Sequence, residues 1–496
     1  MAYNELHCHS AYSFLDGASH PVELAAAALR HGHGALALTD HDSLSGSMEF
    51  AQAAKASGLR AIHGAELTLD DDRHITLLVR DESGWRNLCR LLTKAHAHTR
   101  DGRGRDRSEP ASSLDDVELH AGGLVCLSGC ATRGVRDEPT MRRLLGVFGR
   151  DRLRVELQRP LARHDRALNR GLAGLAERLG IATVATGNVH AHTPERAYLQ
   201  DVFVAIREHT TLDASEPLRR GNHAHVLTTP QAMAARFADH PEAVAETERL
   251  AETLRFDLTS DLGYRYPGAE DAGAIRVLAE VCQARFDERY PRGSPHHEEA
   301  KARLEEELRV IDALGLAGFF VLHREILELA REVAVEVRGR GGWAAGTNPR
   351  ALLPPGRGRG SSVSSIVCHL TGLSHVDPIA NKLLLGRFLN EELTTLPDID
   401  LDFPRDIREV LIPRIHEIYG RERSALVAAF PTYRARGAIR EIGKALGLPP
   451  GEIERVARGS EGWSAGDVDR DIDTALGEGR RTGRWAWLAR LSAEAQ

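Results

Sequence analysis

From Met1 to about Arg207, short apolar runs alternate with amphipathic stretches. GALALTD (34–40), LRAIHGAELTL (59–69), HITLLVR (74–80), GGLVCLSG (122–129), RLRVELQ (152–158) and IATVATGNVH (181–190) are short and rich in Val, Ile and Leu, so they read as strands. Between several of them lie stretches with helical spacing, such as PVELAAAALRHG (21–32) and DRALNRGLAGLAERLG (165–180). Regular strand–helix repetition implies parallel strands with helical crossovers, hence an α/β barrel or a doubly wound sheet. Histidines at several strand ends favour the barrel, whose working face lies at the carboxyl ends of its strands.

Beyond that region the pattern changes. Residues 208–295 read as a helical connector, with PQAMAARFADHPEAVAETERLAETL (230–254) strongly helix-like. HHEEAKARLEEELRVIDALGLAGFF (296–320) reads as a long helix before a Gly-punctuated turn, and RGRGGWAAGTNPRALLPPGRGRGSS (338–362) as a loop rich in Gly, Pro and Arg. A compact mixed segment runs to about Phe430, and a mostly helical tail follows. No internal repeat is evident.

Composition narrows the class without naming a chemistry. At 496 residues the chain exceeds one ordinary core, which implies two to four domains. Hydrophobic content of 42% and charged content of 27% fit a soluble globular protein. A net charge of −7 argues against an indiscriminately basic arm but leaves room for a local basic groove. The six cysteines form no CxxC pair, the start MAYNELHCHSAYSF lacks the form of a signal peptide, and no apolar run is long enough to span a bilayer. A reducing cytoplasm is the expected location.

Two stretches carry chemistry. His7-Cys8-His9-Ser10 opens the chain with Asp16 close behind, and alternate residues on a strand let His7 and His9 reach one ion together. Asp40-His41-Asp42, Glu66 and Asn188-Val189-His190 end other strands. Imidazole and carboxylate gathered from several strand ends suit Zn²⁺ or Mn²⁺, which together activate water against a phosphodiester. Taken singly, each histidine reads as a solvated surface residue; their recurrence at strand ends is the signal. Downstream, PDIDLDF (397–403) places Asp398, Asp400 and Asp402 on one face of a strand, with Ile399, Leu401 and Phe403 on the other. Three carboxylates on one face repel unless cations lie among them, and such oxygen ligands suit Mg²⁺. The plain alternative is an edge strand with a solvated acidic face. Gly358-Arg359-Gly360-Ser361-Ser362 precedes an apolar helix, SIVCHLTGL; glycine amides, a helix N-terminus and the fixed charge of Arg359 could meet a phosphate.

HCHSAYSFLDG, LTDHDSLSG, IHGAEL, LSGC and TGNVHAH resemble, in the expected order, the motifs of a polymerase-and-histidinol-phosphatase (PHP) domain in its DNA-polymerase form. The resemblance implies metal ligands at His7, His9, Asp16, His41, Glu66, Cys130 and His190. Asn188 takes a position where many relatives have aspartate. A further histidine is expected after Glu66, and His96 is preferred over His98. Cys130 alone would read as a buried thiol; only the motif raises it. GRGSS, Arg387-Phe388-Leu389-Asn390, PDIDLDF and YGRERSALVAAFPTYRARGAIREIGKALGL (419–448) resemble the palm region of the bacterial replicative polymerase family, closer in wording to its error-prone branch. By that resemblance Asp398 and Asp400 hold catalytic Mg²⁺, with Asp402 in support, and Arg359, Gly360, Ser361 and Arg387 hold the phosphates of an incoming nucleotide. RFLNEEL departs from the usual RFL-x-PER and lacks a basic residue there.

The expected architecture is therefore α/β. A (β/α)7-type PHP barrel (1–207) leads through the connector (208–295) to the first part of an α+β palm (296–430) and an incomplete helical thumb (431–496). The expected function is DNA-directed DNA synthesis in replication and damage tolerance. Its partners would be primer-template DNA, dNTPs, other replication or translesion factors, and a downstream polypeptide carrying the family's third aspartate and fingers. The rivals are a stand-alone metallo-phosphoesterase, such as a 3′–5′ exonuclease, and a non-catalytic remnant that binds DNA or a partner.

Overall fold

The computed structural model describes residues 3–99, 109–260, 262–263, 266, 271–344, 356–390, 397–420, 422–430, 432–460, 465–480 and 482–496; the side chains of 339–344, Arg387 and Ala465 lie outside that description. The chain forms two compact units, residues 1–262 with 431–496, and residues 263–430. These cut the chain differently from the four segments read in the sequence. Residues 208–262 and the final helical stretch pack with the first unit, and 263–295 belong with the second.

The first unit is a mixed α/β domain. Its sheet holds β1 (Ala35–Leu38), β2 (Arg60–Thr68), β3 (His74–Val79), β4 (Leu124–Leu127), β5 (Leu153–Gln158) and β6 (Ala182–Thr186), neighbours in chain order. β1–β2, β4–β5 and β5–β6 are parallel, whereas β2–β3 and β3–β4 are antiparallel. This corrects the all-parallel expectation. The loop from β2 to β3 is a tight turn in which Leu69 N–H donates to the Arg73 carbonyl (2.7 Å) and Asp72 adopts φ 63°. So short a connection cannot hold a crossover, and it returns the chain antiparallel.

The N-terminal segment ties the two edges of this sheet together. Ala37 N–H donates to the Glu5 carbonyl (2.9 Å) and Thr39 N–H to that of Cys8 (2.7 Å); on the other side His9 N–H donates to the Val189 carbonyl (2.7 Å) and Val189 N–H to that of His7 (2.9 Å). Ala65, Leu67, Ile75, Leu77 and Val79 join one apolar cluster with Leu88 and Leu91 of the helix Glu82–Ala95 and Leu172 and Leu175 of the helix Asp165–Leu179. By strand alternation Glu66, His74 and Thr76 face the opposite side. Four helices, Ala435–Ala445, Pro450–Gly459, Val468–Leu476 and Arg484–Glu494, share a further apolar cluster with the helix Ala197–Arg207.

The second unit packs the helices Ala274–Arg289, His297–Ala313, Ala317–Ala344 and Arg405–Tyr419 around a short helix, Ile366–Thr371, and a two-stranded ribbon, β7 (Arg357–Arg359) with β8 (Asp400–Asp402). The pattern at 296–320 is two helices, because Gly315 turns the chain at φ 64°. The stretch 230–254 likewise divides into Pro230–Arg236 and Pro241–Thr253, since Pro241 offers no amide to continue a helix. Residues 345–355, the middle of the expected loop, lie outside the described residues. No described helix is long and apolar enough to cross a membrane.

Candidate metal centre and aspartate ribbon

Glu66 lies two residues before the end of β2, on the face opposite the apolar cluster, and four histidines converge on its carboxylate. His41 Nδ1 lies 3.0 Å from Oε2 and His9 Nε2 3.5 Å; His74 Nδ1 lies 3.2 Å from Oε1 and His7 Nε2 3.6 Å. Both Glu66 oxygens, His7 Nε2 and His9 Nε2 are buried and make no aligned hydrogen bond. Three sets place ligand atoms within 4.8 Å of one another: His7, His9 and Glu66; His41, Glu66 and His74; and His9, His41 and His190. Buried polar atoms without partners are costly, and a divalent cation satisfies all of these at once. The donor set, imidazole and carboxylate, fits Zn²⁺ or Mn²⁺.

The surrounding hydrogen bonds aim these ligands. His7 Nδ1 donates to Glu156 Oε1 (2.6 Å), which turns Nε2 toward Glu66. Asp40, adjacent to His41, points elsewhere: its oxygens accept from Ser10 N–H (2.6 Å), Ser10 Oγ (2.8 Å) and Ser13 Oγ (2.7 Å) and so fix the loop after His9. Asp42 accepts from Thr68 N–H and Oγ1. Burial opposes the charge on Glu66, yet His41 and His7 hold its carboxyl well below the usual range. Burial alone would lower His41, but Glu66 and Asp16 push it up to about 10. His9, buried among His190 and His41, is held well below the ordinary imidazole value.

Asp16, Cys130 and His190 border this cluster. Asp16 Oδ2 lies 3.1 Å from His41 Nε2 and 3.0 Å from His190 Nε2, and Cys130 Sγ lies 3.9 Å from His74 Nδ1. Asn188 is buried at φ 48° with Oδ1 unpartnered, and its carbonyl accepts from His190 Nδ1 (2.9 Å) and His225 Nδ1 (3.0 Å). His96 stands apart: it is exposed, caps the helix Glu82–Ala95 and donates from Nε2 to the Asp42 carbonyl (2.7 Å). The histidine that reaches Glu66 is His74. Reading β2 and β3 as a hairpin would have found it, since Glu66 pairs with Thr76 and His74 lies two residues away on the same face. Sequence reasoning also missed Arg220, whose Nη2 donates to Asp16 Oδ2 (2.8 Å) and to His190 Nε2 (2.5 Å).

In the second unit, β7 and β8 pair Arg359 with Asp400, Gly358 with Leu401 and Arg357 with Asp402. Asp398, Asp400 and Asp402 are exposed while Ile399 is buried, the alternation expected of this strand. Arg359 Nε lies 3.8 Å from Asp400 Oδ2 and 3.5 Å from Asp402 Oδ2. Gly360 adopts φ 73° beside the ribbon, and Ser361 is exposed. The Arg387 side chain lies outside the described residues. One expectation changes here. The N-terminus of the helix Ile366–Thr371 already holds an internal anion, because Glu307 accepts from Ser365 Oγ (2.7 Å), Ile366 N–H (3.0 Å) and Val367 N–H (3.2 Å). With those amides filled, the helix N-terminus is not free for a phosphate.

Residues 5–160 match the PHP domain, and residues 276–347 and 350–482 match the bacterial DNA polymerase III alpha NTPase domain. Error-prone DNA polymerases of Symbiobacterium thermophilum and Mycobacterium tuberculosis are 33% and 35% identical over 94% and 95% of this chain. That of Pseudomonas paraeruginosa is 35% identical over 93%. The chain belongs to the bacterial DNA polymerase III alpha family. It spans 43% of the length of the first two family members and 42% of the third. Within this family member the Glu66 cluster lies mostly inside the PHP match, with Asn188, His190 and Arg220 beyond its end, and the ribbon lies inside the polymerase match.

Proposed function

We propose that this chain supplies the PHP metal centre and the first catalytic aspartates of a DNA-directed DNA polymerase acting in replication and damage-tolerant synthesis. The observation that carries the reading is the β7–β8 ribbon, which presents Asp398 and Asp400 on an exposed face beside Arg359. Asp398 and Asp400 would hold Mg²⁺, and Arg359 with the Gly360 and Ser361 segment would meet the nucleotide's phosphates, with Arg387 as a further phosphate contact. Bound Mg²⁺ would lower the pKa of the primer hydroxyl and stabilise the leaving pyrophosphate. Asp402, paired with Arg359, holds that cation beside the site. Primer-template DNA and dNTPs are the substrates, with other replication factors as partners and the cytoplasm as the location. The pairing of residues 5–9 with both sheet edges supports a (β/α)7-type barrel, and the β7–β8 ribbon supports a palm. The final helices, read as thumb, share their core with Ala197–Arg207, which associates them with the PHP unit.

Primer extension with Mg²⁺ and dNTPs tests this. The chain is assayed together with a polypeptide supplying the rest of the relatives' length. The expected result is templated synthesis that Asp400→Asn abolishes. Synthesis that survives Asp400→Asn would overturn the reading.

A second activity is favoured by the unpartnered ligand atoms around Glu66. The cluster would hold Zn²⁺ or Mn²⁺ through His7, His9, His41, Glu66 and His74, with Cys130 and Asp16 at its border. A cation held by these residues would supply activated water for phosphodiester hydrolysis. The expected activity is a weak 3′–5′ exonuclease that His9→Ala removes; unchanged hydrolysis by His9→Ala would refute it.

A further inference from the structure

His190 reaches the metal centre with no ligand atom to spare. Its Nδ1 donates to the Asn188 carbonyl at 2.9 Å, which leaves the only lone pair of the neutral ring on Nε2. That lone pair accepts from Arg220 Nη2 at 2.5 Å. The same Nη2 donates to Asp16 Oδ2 at 2.8 Å, and Arg207 Nη1 approaches Asp16 Oδ1 at 3.4 Å. Both oxygens of the one carboxylate at this end therefore face guanidinium groups. Asn188, the remaining candidate ligand, is neutral, and its Oδ1 is buried without a partner.

The segment that delivers Arg220 is fastened independently of its side chain. Asn222 Nδ2 donates to the Pro160 carbonyl (2.7 Å), His225 Nδ1 to the Asn188 carbonyl (3.0 Å), and His190 N–H to the His225 carbonyl (2.8 Å). Arg220 is thus held over Asp16 and His190 by ties from residues 222 and 225 to the Pro160 carbonyl and to the segment 188–190. We infer that Arg220 is a resident cation that closes the Asp16–His190 end of the centre, so divalent ions bind only at the Glu66 end. A dication here would meet a fixed positive charge at contact distance, with one carboxylate, already paired, to compensate. At the other end Glu66 and four histidines meet no arginine within ion-pair distance among the described residues.

This inference rests on the Glu66 cluster being a metal centre, and one experiment separates the two claims. The full chain is stripped with chelator, refilled with excess Mn²⁺, desalted and assayed for metal by elemental analysis. Arg220→Ala, and Arg220→Ala with Asn188→Asp, should each hold about one more Mn²⁺ than the parent chain, while Arg220→Lys, which keeps the charge, should gain none. Mn²⁺ should also raise the melting temperature of Arg220→Ala further than that of the parent. Arg220→Gln, neutral and similar in length, gives the same comparison if the alanine variant does not fold. Equal, non-zero metal in the parent and the neutral variants would overturn the role of Arg220 and leave the centre standing. No metal in any of them would overturn both.

Discussion

Glu307 sits at the base of the segment that presents Arg359, Gly360 and Ser361, and removing it should loosen that segment by a predictable amount. Its carboxylate is fully buried, accepts from Ser365 Oγ, Ile366 N–H and Val367 N–H, and pairs with Arg303 Nε at 2.9 Å. Glu307→Ala leaves two helix-terminal amides and the Ser365 hydroxyl proton without an acceptor, each loss worth about 1 to 2 kcal/mol when buried. Relief of the buried carboxylate's desolvation, which pushes its pKa up, offsets part of this. The net loss should be about 3 kcal/mol. Through local opening, that corresponds to roughly two orders of magnitude in amide exchange. Glu307→Gln keeps the shape and one acceptor oxygen, so its loss should be about 1 kcal/mol. Hydrogen–deuterium exchange of a peptide spanning 360–374 measures both. Parent-like exchange at 366–368 in Glu307→Ala would refute the assignment of Glu307 as the anion at this helix end.

Three further predictions test other parts. His63 is buried among Phe50, Trp85 and Phe256 with neither ring nitrogen partnered, and burial holds its pKa down at about 4. Because the folded value lies below the unfolded one, its contribution to stability is present above about pH 6.5 and disappears as pH falls through about 4. The ceiling is about 3 kcal/mol. The melting temperature of His63→Phe should therefore fall less than the parent's between pH 7 and 5, and a pH-independent difference would count against this. A Cβ on Gly358 would come within 2.2 Å of the Leu373 carbonyl oxygen, so Gly358→Ala should lower stability by about 1–3 kcal/mol, read by urea titration. A stability equal to the parent's would mean that the ribbon moves freely against Leu373. Asp40→Ala removes the acceptor for Ser10 and Ser13 and should weaken Mn²⁺ binding about tenfold without abolishing it, measured by calorimetric titration. Unchanged affinity would show that the loop holds itself.

Much of the centre was legible because strand alternation and strand ends are local features. His7 and His9 share a face by spacing alone, and His41, Glu66 and His190 each follow an apolar run that could only be a strand. The aspartate strand was legible for the same reason, since Ile399 and Leu401 alternate with Asp398, Asp400 and Asp402. What escaped depends on pairing between distant segments. His74 looked like the first residue of an ordinary strand until the turn at 69–73 made it antiparallel to β2 and brought it beside Glu66. Arg220 lies in a stretch with no periodicity, so nothing in the sequence says which carboxylate it faces. Glu307 was one acid among several on a helix rich in them. Only tertiary packing distinguishes it, by burying it against Ile366 and Val367.

Metal content tests the centre around Glu66 most directly. The chain purified without added metal, its His7→Ala/His9→Ala variant and its Glu66→Gln variant are compared by elemental analysis, with circular dichroism to show that each is folded. The parent should carry Zn²⁺ or Mn²⁺ at about one equivalent or more, and both variants should lose most of it. Equal and negligible metal in all three folded proteins would contradict a metal centre at these residues.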